Sequence, residues 1–244
     1  MIVQSDEFAG KRIAISGACG GLGRVFARVF AEHGAELILL DQDDRQLAAL
    51  AGELGPAHQA VAYDQGRPDS IARALAATDR IDILINNAGY MLRKSLLETS
   101  AAEVADLIGV NLTGAIIMAM TAAEKMKGRG GTIVNIASQL AFASEPDRAI
   151  YSVSKAGLVQ FTRNASREWT SLGIRTFAVA PGVVRTNMTE GLSPAAREKL
   201  MSRVPDGRML EPEEVVRMVA FLASRDGQAF VGQTLIADGG YLIH

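Results

Sequence analysis

The sequence predicts an α/β protein: a doubly wound parallel sheet of about seven strands with helices on both faces, in one domain spanning residues 1–244. Three observations predict it. Short apolar runs alternate with longer segments whose apolar residues recur every three or four positions. The runs are continuously apolar, so both of their faces are buried, as in a parallel sheet covered by helices. No linker, low-complexity run or repeat divides the chain.

The elements follow in order. "RIAISG" (12–17) is the first strand, and "LGRVFARVFAEHG" carries the first helical stripe. "ELILLD" (36–41) is a Leu/Ile-rich strand ending in Asp, followed by the helical "DRQLAALAGELG". "HQAVAYD" (58–64) and "DSIARALAATD" repeat the pair, and "DILINNAG" (82–89) is the fourth strand. The segment 101–127, "AAEVADLIGVNLTGAIIMAMTAAEKMK", reads as one long helix. "GTIVNIAS" (131–138), the helical 151–173, "IRTFAVAPG" (174–182), the helical 211–225 and "QTLIADGG" (233–240) complete the alternation. Only about 183–211 breaks it, punctuated by Pro194 and Pro205 and closed by Pro212. A break that long in a compact domain is usually functional, and a substrate lid is expected there.

Composition excludes several classes. The chain has 244 residues, 48% of them apolar, which suffices for one large core. A net charge of -2 gives no pull toward nucleic acid or an anionic membrane. The start, "MIVQSDEFAGKR", lacks the pattern of a signal peptide, and no apolar stretch reaches the roughly 20 residues needed to span a bilayer. Cys19 is the single cysteine, so no internal disulfide forms and a cytoplasmic location is expected. His33, His58 and His244 are scattered and show no metal-ligand spacing with Cys19, so no metal is expected.

"SGACGGLG" follows the first strand and opens the first helix. Gly17, Gly21 and Gly23, with Leu22 between the last two, let backbone approach a pyrophosphate at a helix N-terminus, as in a Rossmann-type nucleotide fold. The spacing is a variant of the usual GxGxxG. Asp41 ends the second strand, 18 residues after Gly23, where a carboxylate accepts from the adenosine ribose hydroxyls and repels a 2′-phosphate. Gln42 follows rather than Arg, and Gly20 supplies no cation, so NAD is expected over NADP. Asp64, with Gln65 beside it, ends the third strand near the adenine; a solvated turn is the competing reading. Asn87, Ala88 and Gly89 of "NNAG" end the fourth strand, on the edge that lines the ligand crevice.

"YSVSK" places Tyr151 and Lys155 four residues apart, on one helix face. A nearby ammonium favours the phenolate. Bringing a tyrosine from a pKa of about 10 to near 7 takes about 4 kcal/mol. Ser138, at the end of the fifth strand and 13 residues before Tyr151, can donate to a carbonyl oxygen or developing alkoxide. Asn111 is an amide inside an apolar helical run and must find a partner. Pro181-Gly182 ends the sixth strand with a turn.

Taken together, "SGACGGLG", Asp41, "NNAG", Asn111, Ser138, Tyr151/Lys155, "PGVVRT" and "ADGG" resemble the classical short-chain dehydrogenases/reductases nearly end to end, with Ser16 where Thr is common. The resemblance implies hydride transfer between a nicotinamide and a secondary alcohol or ketone, with Tyr151 as acid–base. It implies that Lys155 holds the nicotinamide ribose and that Asn111 distorts its helix and holds a water of a proton relay. It implies that Val184 and Thr186, beside Pro181 and Gly182, meet the nicotinamide carboxamide. It also implies a homotetramer, or a homodimer, built on the 101–127 and 151–171 helices. Met118, Met120 and Met126 would be core or subunit contacts.

The segment 139–150 should border the substrate, and Gln139, Glu145 and Arg148 make it polar, as suits a polyol, sugar or sugar acid. A 3-oxoacyl-carrier-protein reductase using NADPH is the alternative, with Arg129 and Arg167 placed for an acidic carrier. A non-catalytic dinucleotide sensor is the remaining one. In the lid, Arg185, Arg197, Lys199, Arg203 and Arg208 face Glu190, Glu198, Asp206 and Glu211, which shows no preference for an anion.

Overall fold

A computed structural model of the chain describes residues 7–186, 189, 191 and 193–243, with the backbone alone at 194, 196 and 199. His244 and Glu190 therefore lie outside the described residues, as does the Lys199 side chain. Seven strands form one sheet: β1 (Arg12–Ser16), β2 (Glu36–Asp41), β3 (Gln59–Ala62), β4 (Ile83–Asn86), β5 (Gly131–Ile136), β6 (Ile174–Pro181) and β7 (Thr234–Ala237). All pair in parallel, in the order β3-β2-β1-β4-β5-β6-β7. The order reverses between β1 and β4, the switch point where such sheets open a crevice. Strand ends are shorter than expected because Tyr63, Asn87 and Asp238 already belong to crevice turns.

The helices are α1 (Gly21–Glu32), α2 (Asp44–Leu54), α3 (Pro68–Ala76), α4 (Ala101–Ile108), α5 (Ala115–Met126), α6 (Ala149–Trp169), α7 (Pro194–Met201) and α8 (Pro212–Ala223). Their starts follow local chemistry. Asp43 caps α2 by accepting from Gln46 N, Ser100 and Glu103 form a reciprocal capping box on α4, and prolines open α3 and α8.

Side-chain alternation along the strands fills two cores. Ile13, Ile15, Leu37, Leu39 and Phe177 meet Phe26 and Phe30 of α1 and Val215 and Val219 of α8. Ala14, Ile38, Leu40 and Leu84 meet Ile71 and Leu75 of α3 and Met118, Ala122 and Met126 of α5. Both faces are dry, which is why the strands read as unbroken apolar runs.

Two expectations are corrected. The 101–127 segment, read from its period as one long helix, is interrupted by a π-helical turn, Gly109–Gly114, between α4 and α5, the distortion at Asn111 that the family resemblance implies. The wide turn seats Gly114 against Gln65, where a Cβ would lie 2.1 Å from the Gln65 carbonyl oxygen. Second, Ala101–Met126 taken as one helix is long and apolar enough to cross a membrane, with a mean hydropathy of 1.6 over its most apolar window. Counting consecutive apolar residues missed it, because Asp106, Asn111 and Thr113 interrupt the run of Leu, Ile and Val. Its Met118, Ala119, Ala122, Ala123 and Met126 face the sheet, whereas Met120 is 52% exposed. The 183–211 segment, expected as the break in the alternation, holds α7 and a parallel bridge between Val184 and Leu210. Three of its arginines are paired at short range: Arg185 with Glu211, Arg203 with Glu145, and Arg208 with Asp206 and Glu214.

Candidate active site

The glycine turn between β1 and α1 is built for close approach. Gly17 has φ +65°, and a Cβ on it would lie 2.9 Å from Ala88 Cα, across the switch point. A Cβ on Gly23 would lie 2.0 Å from the Gly17 carbonyl oxygen, so any side chain there forces the turn open. Gly21 faces Thr186, whose Cγ2 would be 3.0 Å from an added Cβ. Leu22 packs partly buried against the core under α1. Helix α1 starts at Gly20 with no side-chain cap and no acidic residue in its first turn. Its first N–H groups are left for an anion. These residues fit the pyrophosphate of a dinucleotide.

The turn is tied to its neighbours. Ser16 Oγ accepts from Asn87 N (2.9 Å) and Ala88 N (3.0 Å), and Asn87 Nδ2 donates to the Ser16 and Gly17 carbonyls (both 3.1 Å). Asp41 Oδ2 accepts from Cys19 N (2.9 Å), and its Oδ1 accepts from Gln42 N (2.8 Å). Cys19 itself is a poor nucleophile. Burial, then the Asp41 charge, pushes its thiol up to about 11. Asp64 Oδ1 accepts from Gly66 N (2.8 Å), and Gln65 is buried with its Oε1 accepting from Tyr63 Oη (2.5 Å). Sequence reasoning missed Arg24, which lies over the turn and donates to Cys19 O (2.9 Å) and Gln46 Oε1 (2.8 Å).

On the other side of the switch point, Asn111, Ser138, Tyr151 and Lys155 converge. Asn111 sits buried in the π-turn, where its Oδ1 accepts from Tyr90 N (2.9 Å) and its Nδ2 donates to Tyr90 O (2.7 Å). A Cβ on Gly89 would lie 3.0 Å from Asn111 Oδ1 and 3.6 Å from Lys155 Nζ, so Gly89 occupies the gap between them. Lys155 Nζ donates to Ile136 O (2.8 Å) and lies 5.8 Å from the Tyr151 ring centroid. The Ser138 hydroxyl neighbours the Tyr151 phenol, and its Oγ accepts from Leu140 N (3.2 Å).

The electrostatics depart from the simple reading of "YSVSK". Burial raises the Tyr151 pKa, and the Ser138 hydrogen bond opposes it only in part. Lys155 is fully desolvated, which pushes its ammonium down from 10.5 to about 8. The unfolded chain therefore holds that proton up to a higher pH than the folded one. Stability contributed by this group is lowest below about 8 and rises with pH toward 10.5. Lys155→Met lacks that rise. In denaturant melts its stability relative to the native chain should drop by about 3 kcal/mol between neutral pH and the top of that window. A constant difference would show that the ammonium is not desolvated.

A buried polar chain supports the site. Asn86 Nδ2 donates to Asn135 Oδ1 (2.9 Å) and Ala115 O (2.8 Å), and Asn135 Nδ2 donates to Thr162 Oγ1 (2.9 Å) on α6. It joins β4, β5, α5 and the helix that carries Tyr151 and Lys155. Asn135 and Thr162 were missed; the signal was an Asn inside the apolar run "GTIVNIAS".

The loop after Ser138 divides. Gln139 is buried in a 3₁₀ turn, Gln139–Ala141, with its Oε1 beside Gly182. Glu145 is occupied instead: it takes the Arg203 guanidinium and Tyr241 Oη (2.9 Å), with Arg148 at 3.6 Å. Gly182 N donates to Ala237 O (2.6 Å), which fixes the turn after Pro181. Thr186 N donates to Thr189 Oγ1 (2.8 Å), and Val184 is held by its bridge to Leu210. His33 Nδ1 bonds to its own helix at Val29 O (2.7 Å) and His58 Nδ1 accepts from Leu37 N (3.2 Å).

This architecture has known relatives. A family profile described as enoyl-(acyl carrier protein) reductase matches residues 17–242. An uncharacterized short-chain type dehydrogenase/reductase of Sinorhizobium fredii is 36% identical over 96% of the chain, which spans 44% of that relative's length. The 3-oxoacyl-(acyl-carrier-protein) reductase FabG of Thermotoga maritima is 35% identical, with 96% of this chain and 98% of the relative covered. Among solved structures, a candidate NAD(P)-dependent gluconate 5-dehydrogenase from Beutenbergia cavernae, with NADP bound at low occupancy, superposes with a TM-score of 0.93. It is 33% identical, and 99% of this chain and 100% of that one are covered. Fold and relatives define the class as a nicotinamide-dependent oxidoreductase acting on CH–OH groups. The chain belongs to the short-chain dehydrogenase/reductase family.

Proposed function

We propose that the chain is an NAD(H)-preferring dehydrogenase/reductase of secondary alcohols or ketones whose natural substrate is a polar, hydroxylated molecule: a polyol, sugar or sugar acid. The observation that carries the reading is the convergence of Ser138, Tyr151 and Lys155 beside Gly89 at the switch point. Gly17, Gly21, Leu22 and Gly23 would cradle the pyrophosphate, Asp41 and Gln42 the adenosine ribose, and Asp64 and Gln65 the adenine. Asn87, Ala88, Gly89, Pro181, Gly182, Val184 and Thr186 would border the nicotinamide half. When bound, the nicotinamide gives or takes a hydride at C4. Ser138 holds the substrate oxygen by donating to it. Tyr151 takes the alcohol proton in oxidation and returns it in reduction. Lys155 stabilises the phenolate and the ribose hydroxyls, and Asn111 positions the water that relays the proton out.

Of the polar groups at 139–148, Gln139 has an amide oxygen without a partner, which supports a hydroxylated substrate, and a gluconate dehydrogenase stands among the structural relatives. A single domain with a lid at about 183–211, a cytoplasmic location and a homotetramer or homodimer complete the proposal. Exposed Met120 and Val153, on the two helices expected at the subunit contact, support the last. No metal or nucleic acid is required.

A second reading, reduction of 3-oxoacyl thioesters with NADPH, is favoured by the name of the Thermotoga relative and opposed by Asp41 followed by Gln42. Rates with NAD and NADP across polyols, aldoses, sugar acids, hydroxysteroids and 3-hydroxyacyl thioesters test both. We expect a polyol or sugar acid with NAD to be fastest; a thioester with NADP ahead of all others would reverse the order.

A further inference from the structure

Six buried side-chain polar atoms lack a hydrogen-bond partner among the described residues. Four are hydroxyls, which rotate and serve as donor or acceptor. The other two belong to amides, Gln65 Nε2 and Gln139 Oε1. The second lies at the crevice. Gln139 directly follows Ser138 and is only 6% exposed. Its Oε1 would be 2.7 Å from a Cβ placed on Gly182, so the missing side chain of Gly182 gives this oxygen its room. The amide oxygen thus sits against the turn that ends β6, on the residue that directly follows Ser138.

A carboxamide oxygen only accepts, and a buried acceptor with no donor carries its full desolvation penalty. The neighbouring Glu145 cannot take over its role in recognition, because Arg203 and Tyr241 already engage its carboxylate. What is missing is an O–H or N–H donor, which a substrate seated beside Ser138 could bring. A plain ketone has none, and neither does the carbon chain around the ketone of a 3-oxoacyl thioester. We infer that Gln139 is a specificity-determining residue that accepts a hydrogen bond from a hydroxyl on the carbon next to the reacting one, so that the substrate is a vicinal diol in oxidation and an α-hydroxy ketone in reduction. This rests on the functional reading above and narrows its substrate class.

The test is NADH-driven reduction of two ketones that differ by that hydroxyl, butanone and 3-hydroxybutanone. The native chain should favour the hydroxy ketone in kcat/KM by roughly tenfold to a hundredfold. Gln139→Met, similar in length and without the acceptor, should bring the ratio to within about threefold, mainly by slowing the hydroxy ketone. Its affinity for NADH and its far-ultraviolet circular dichroism should match the native chain, which shows that the variant is folded. Gln139→Glu keeps an acceptor and should keep most of the preference. Equal native rates on the two ketones would overturn the inference while leaving the oxidoreductase reading standing, as would a preference that survives in Gln139→Met. Weakened NADH binding in Gln139→Met would assign the oxygen to the cofactor's carboxamide instead and overturn it equally. A native chain that reduces neither ketone would sink this inference and count against the functional reading.

Discussion

Tyr151→Phe is expected to lower turnover by on the order of 10²–10⁴, the usual worth of a positioned acid–base group, with NADH affinity nearly unchanged. The phenol is the group at the crevice that can exchange a proton: the Ser138 hydroxyl neighbours it and Lys155 lies 5.8 Å from its ring. Phe keeps the ring and its packing and removes only the oxygen. The pH profile carries a second signature. Burial raises the Tyr151 pKa, so the base form grows only toward alkaline pH. Alcohol oxidation should therefore accelerate as pH rises, and ketone reduction should slow. Tyr151→Phe should lose that dependence along with the rate. Stopped-flow turnover beside fluorescence titration of NADH measures both, and undiminished turnover in the variant would end the acid–base assignment.

Asp41→Asn is expected to shift cofactor choice by roughly a hundredfold, through weaker NADH binding and stronger NADPH binding together. Both Asp41 oxygens are fixed by backbone donors, Cys19 N at 2.9 Å and Gln42 N at 2.8 Å. The carboxylate therefore cannot turn aside to admit a phosphate. Asn keeps one acceptor and removes the charge that repels the 2′-phosphate. Arg24, bonded to Cys19 O across the same turn, is then a cation able to attract it. Adding Arg24→Ala to Asp41→Asn should cancel the gain in NADPH affinity. Native chain that binds NADPH more tightly than NADH in the same titration would contradict the argument at its first step.

Much of this site was legible because its residues are marked by local chemistry. Glycines at 17, 21 and 23 are needed where backbones nearly touch, and a Cβ at Gly23 would collide with the Gly17 carbonyl at 2.0 Å. Asp41 and Ser138 were legible because apolar strands end at them. The spacing of Tyr151 and Lys155 survives folding, since four residues share a face on any helix. Other features depend on partners distant in sequence. The interruption at Asn111 arises where its amide clamps the backbone of Tyr90, 21 residues earlier. Glu145, read as a substrate contact, is engaged by Arg203 and Tyr241, 58 and 96 residues away. Helix α7 inside the 183–211 segment has too little amphipathic contrast for periodicity to announce it.

By itself the sequence determined the layered α/β plan, the place of the crevice and the residue types within it. Periodicity, turn formers and strand-end polar residues act over a few positions and need no tertiary knowledge. Tertiary structure decided the rest: the sign of the Tyr151 shift, the depressed Lys155 ammonium, and which polar groups are already spoken for. Those are set by desolvation and by hydrogen-bond partners that folding alone brings together.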